Sequence, residues 1–111
     1  MDTEYDEGLA TLSFPAMVYY KFLSTFHVDD TTLSFGVVKT SVPPDVSAEF
    51  RSYLKGQKRW VRDTKRPPRQ EIRQRMWWIV QKIVDAKVFT ESQQKYIMCW
   101  QESCDSQMFD L

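Results

Sequence analysis

Two proline pairs do most to limit how this chain can fold. Pro43-Pro44 and Pro67-Pro68 each disfavour helix at the residue before them and remove backbone donors, so no regular element runs through either pair. They fence off a segment of helical length. Within it, across DVSAEFRSYLKGQKRWVR (residues 45–62), a turn of about 100° per residue gathers Val46, Phe50, Tyr53, Leu54, Trp60 and Val61 on one side. Arg51, Lys55, Lys58, Arg59 and Arg62 gather on the other. The period continues through Gly56, a residue that weakens a helix by about 1 kcal/mol, so one helix is expected here rather than a helix that stops at the glycine.

The segments on either side carry their own periods. In SFPAMVYYKFLSTF (residues 13–26), Ser13 is placed to cap and Pro15 to occupy the first turn of a helix. Its inner side would hold Val18, Tyr19, Phe22, Leu23 and Phe26, with His27 at its end. After the second proline pair, Ile72, Met76, Ile79, Val80 and Ile83 form the stripe of a helix over about 68–88. Thr90 and Gln93 have the capping-box spacing for a final helix, with Tyr96, Ile97, Trp100 and Cys104 facing inward. The stretch between residues 31 and 42 is ambiguous. Leu33, Phe35 and Val37 alternate as in a strand, yet Asp30 could cap a short helix instead. A strand there needs a partner, either within a hairpin or from another chain.

These readings add up to a mainly α, small single-domain bundle of about four helices, with a short β segment near residues 31–42 left open. An acidic flexible tail (1–12), a helical domain (13–106) and a short C-terminal tail (107–111) are the expected divisions. With 111 residues, 42% apolar and 14% aromatic, the chain can bury a core without metal or disulfide. Cys99 and Cys104 lie five apart on one helix, about 140° around its axis, and cannot join. They read as free thiols. His27 is the single histidine, no metal-ligand spacing is present, and no cofactor is expected. There is no membrane-length apolar run, and Met1-Asp2-Thr3-Glu4 is acidic where a signal peptide is basic. The expectation is an intracellular protein of nucleus or cytoplasm.

The charge distribution is the functional clue. A formal net charge of zero conceals a bipolar chain, because residues 51–75 hold ten bases against Asp63 and Glu71 alone. KRWVRDTKRPPRQEIRQR (residues 58–75) carries the density onward from the helix into the proline connection through Lys65, Arg66 and Arg69. Cations three and four apart on one helix repel by a few tenths of a kcal/mol per pair. Phosphates would offset that cost, and with bases stacked on Trp60 or Trp78 the expectation is a non-enzymatic binder of RNA or single-stranded DNA. Of the tandem tryptophans, Trp77 borders the apolar stripe and reads as core, whereas Trp78 falls among Gln74, Lys82 and Asp85. No asparagine exists to read adenine edges, and no Gly-rich phosphate loop, paired carboxylates or base-assisted nucleophile is visible. The alternative is a helical protein-interaction module. In it Arg51, Lys55, Arg59 and Arg62 meet an acidic partner, or the acidic N-terminal tail, which folds over the basic face or crosses to a second copy in a homo-oligomer.

Overall fold

Ser13 starts the first helix. In the computed structural model, which describes residues 11–109, its hydroxyl accepts from the Ala16 amide at 3.4 Å and Pro15 lies in the first turn of α1 (Phe14–Ser24). Tyr19, Phe22 and Leu23 are fully buried along it. The helix stops two residues short of the expected Phe26, because Thr25 caps it through its backbone N–H and Phe26 opens a strand. Phe26 lies four residues after Phe22, so burial alone suits either conformation. His27 correspondingly stands exposed on that strand, not at a helix end.

The ambiguous region is an antiparallel meander of β1 (Phe26–Val28), β2 (Thr32–Phe35) and β3 (Val38–Ser41). Register pairs Phe26 with Phe35 and Phe35 with Val38, so Leu33 and Phe35 point into the core while the strand needs no partner chain. The alternation does not extend to Val37. Gly36 at φ 57° and Val37, 85% exposed, form the two-residue turn into β3, where a positive φ at the first turn position suits glycine. Both sheet edges are tied down. The Arg51 guanidinium reaches the Val28 carbonyl at 3.4 Å on one side, and on the other the Thr40 hydroxyl donates to the Val88 carbonyl at 2.7 Å.

Three longer helices follow. α2 (Pro44–Thr64) is continuous through Gly56 and buries Phe50, Leu54 and Val61. α3 (Arg69–Ala86) buries Ile72, Met76, Ile79, Val80 and Ile83, the stripe read from its period. α4 (Glu91–Phe109) opens with the capping box: the Gln93 amide donates to the Thr90 hydroxyl at 3.2 Å, and the Thr90 amide to the Gln93 side chain at 3.0 Å. It runs past residue 106, with Met108 fully buried. Residues 1–10 of the acidic segment lie outside the described residues, and Leu12 just after them is buried.

The sheet meets the helices through one aromatic cluster. Phe35 lies 4.6 Å from Phe26, 5.5 Å from Phe22 and 5.7 Å from Trp100, centroid to centroid, within the range where tilted and edge-on pairs attract. Among the helix pairs α1 packs most extensively on α4, so the first and last described helices close the core together.

Candidate nucleic-acid interface

The outer face of α2 and the connection into α3 hold the expected cations, and packing divides them into three kinds. Arg51 is committed to the sheet, where it pairs with Asp30 at 3.4 Å and reaches the Val28 carbonyl. Lys58 and Arg62 lean toward α1. Their charged groups lie 5.7 and 5.6 Å from the centroid of the Tyr20 ring, and Arg62 donates to the Tyr20 hydroxyl at 2.8 Å. Burial, and secondarily the Arg62 charge, pushes the Lys58 amine below the usual lysine range. Lys55, Arg59, Lys65, Arg66 and Arg69 make up the third kind. All five are exposed, and none makes an ion pair or side-chain hydrogen bond among the described residues.

The turn that carries Lys65 is unusual. Lys65 has φ 62° and ψ −47°, and the Arg66 amide reaches back to the Thr64 carbonyl at 2.6 Å. This is a γ-turn of the rare positive-φ kind, closed between the end of α2 and the buried Pro67. The Lys65 carbonyl accepts from the Ser13 amide at 3.2 Å. The start of α1 is thereby fastened to the basic turn, and the next residue, Phe14, is 48% exposed.

Phe14 and Met17 line a groove of about 420 Å³ between α1 and α4, with Lys21 and Trp100 among its walls and Tyr20 on its side nearest α2. Through Tyr20 the groove borders the cations Lys58 and Arg62. Sequence reasoning missed Phe14 and Met17, although one signal was present: both fall on the side of the α1 period away from Tyr19 and Leu23.

The two tryptophans assigned to stacking are placed differently. One face of Trp60 is covered by the Arg75 guanidinium, 3.7 Å from the ring centroid, and its edge meets Tyr19. Trp78 packs edge-on to Tyr53 at 5.0 Å beneath Lys82 and stays 38% exposed. Trp77 is the more exposed of the tandem pair, at 51%, which corrects its reading as core. It stands over a second groove between α3 and α4 with Met98, bounded by the Arg73–Asp105 ion pair at 2.7 Å. The wheel misjudged Trp77 alone: Trp78 is exposed, as its place among Gln74, Lys82 and Asp85 implied, with Tyr53 of α2 covering part of it.

Beneath α2, Arg75 organises a polar cluster. It donates to Gln57 at 3.0 Å and to Glu71 at 3.2 Å, while the Tyr19 hydroxyl donates to the same Gln57 oxygen at 2.8 Å. Burial holds the Tyr19 phenol well above its ordinary range, so its hydroxyl keeps the proton it donates to Gln57. Among the described residues no three His, Cys, Asp or Glu side chains are grouped to hold a metal ion. No described helix is long and apolar enough to cross a membrane. Compared with protein-family models, curated proteins and solved structures, the chain matches none.

Proposed function

We propose that the protein acts by binding single-stranded nucleic acid, RNA or single-stranded DNA, through its phosphates. The observation that carries this reading is the row of exposed cations without carboxylate partners among the described residues, Lys55, Arg59, Lys65, Arg66 and Arg69, on the outer face of α2, the turn after it and the start of α3. Phosphates would supply the missing countercharge. The half-exposed Phe14 ring beside that turn takes over the stacking role first given to Trp60 and Trp78, since aromatic faces accept bases without regard to sequence. An intracellular site, nucleus or cytoplasm, goes with this reading.

The test is fluorescence anisotropy with labelled single-stranded and duplex RNA and DNA. Five single-strand phosphate contacts give a log–log salt slope of about −3.5, roughly a 130-fold loss of affinity between 50 and 200 mM salt. Combined Lys55→Glu, Arg59→Glu and Arg66→Glu substitutions leave two contacts, a slope of about −1.4 and roughly a sevenfold loss over the same range. Arg62 is omitted because it also holds Tyr20. Absence of binding at 50 mM salt would end the proposal.

A second reading rests on a different observation. The exposed Trp77 with Met98, flanked by Glu102 and Asp105, has the make-up of an apolar anchor point for a protein partner. Such a complex would persist at 200 mM salt and be lost in Trp77→Ala.

A further inference from the structure

The groove between α1 and α4 differs in charge from the one beside Trp77. Phe14, Met17 and Lys21 follow one another three and four residues apart, a single stripe along α1, and Trp100 joins them from α4. Among the described residues no carboxylate lines this groove, whereas Glu102 and Asp105 line the other. Its polar groups are also uncommitted. The Lys21 amine makes no ion pair among the described residues, and the Ser24 and Gln107 side chains make no hydrogen bond there. Both ends are cationic. The bond from the Ser13 amide to the Lys65 carbonyl, 3.2 Å long, holds the basic turn at the Phe14 end. Lys21 lies seven residues further along the helix, about 10 Å at 1.5 Å per residue.

We propose that this groove is a base pocket, which takes one unpaired base of a strand whose phosphates lie on the cationic row. This rests on the phosphate reading above. The base would lie against Phe14 and Met17 with its polar edge toward Ser24 and Gln107, and Lys21 would meet the phosphate beyond it. Charge and chemistry select this occupant. An apolar side chain from a protein partner would leave Lys21, Ser24 and Gln107 unused, whereas a nucleotide brings a flat π face, edge donors and acceptors, and an anion in one unit. Size permits it, since about 420 Å³ falls within the range of small-molecule pockets. The pocket also supplies what the cationic row lacks. Phosphate contacts fix position but carry no information about bases, and a base stacked in a duplex offers neither its face nor its pairing edge. A pocket for one free base therefore makes the surface selective for single strands.

The experiment titrates the full chain into two labelled probes at 50 mM salt, a thymidine oligomer and an abasic oligomer of the same length. Anisotropy should show the thymidine oligomer bound about 5–150-fold more tightly, the range for one stacked base. Phe14→Ala should remove most of that ratio and leave the abasic affinity unchanged. Phe14 is 48% exposed, and a urea melt of the variant checks that the fold is kept. The Met17 methyl resonance, assigned with Met17→Leu, should shift with the thymidine oligomer and stay in place with the abasic one. Equal affinity for the two probes would overturn the pocket and leave the phosphate reading standing. A base preference that survives Phe14→Ala, with the Met17 methyl unmoved, would put the base elsewhere and overturn the groove. A Met17 methyl that shifts with protein concentration alone would seat a second copy in the groove and overturn it too. Absence of binding to both probes would end the phosphate reading and the pocket with it.

Discussion

Gly56→Ala and Gly36→Ala make the same chemical change and should act in opposite directions. Gly56 lies inside α2 with an ordinary helical backbone, and a methyl group built there meets nothing within 4 Å. Alanine therefore adds no clash. It removes the excess backbone freedom of glycine in the unfolded chain and should stabilise by about 0.5–1 kcal/mol. With an unfolding entropy of about 2.1 cal/mol/K per residue over a chain of this length, 1 kcal/mol raises Tm by roughly 4 °C. Gly36 is the contrary case. Its φ of 57° costs a side-chain-bearing residue about 1–2 kcal/mol, and a methyl would stand 2.9 Å from the Tyr96 hydroxyl. The ring can swing aside, so backbone strain sets the sign and Tm should fall by several degrees. Urea melts read both, as shifts in midpoint at unchanged slope. A Gly56→Ala protein less stable than the parent would refute the continuous α2, and with it the unbroken cationic face.

Two further outcomes follow from local geometry. Thr90→Ala removes one half of the capping box at the start of α4 and should cost about 1 kcal/mol, whereas Thr90→Ser should cost less, both measured by urea melts. Cys99 is exposed and Cys104 buried, with burial pushing the Cys104 thiol above its ordinary range, so a colorimetric disulfide reagent near pH 8 should titrate one thiol rapidly and the second only with unfolding.

The helices were legible because their signals are local. The proline pairs set the limits of α2, the Thr90–Gln93 spacing sets the start of α4, and the period of α3 named its buried residues in full. The sheet was half legible. Leu33 and Phe35 announced a strand, but β1 was hidden because Phe26 continues the apolar period of α1, and strands of three and four residues carry too few positions for alternation to show. For the site, sequence could place the cations on one face of α2, since charge and spacing decide that. It could not foresee which of them packing would engage. Arg51 finds Asp30 and Lys58 finds Tyr20 only once the sheet and α1 are in place, and the exposure of Phe14 and Trp77 depends on where α4 comes to rest.

The pairing of α1 with α4 has a consequence for synthesis. The side of α1 that carries Val18 and Phe22 faces Trp100 and Cys104, and residues 25–90 must be made in between. At about 5–20 residues per second, this apolar side waits roughly 3–13 s on the ribosome before its cover emerges. The meander, whose strands pair only with sequence neighbours, can zip long before that. A nascent chain halted before residue 91 should therefore hold a formed sheet beneath an uncovered helix, the species most in need of a chaperone.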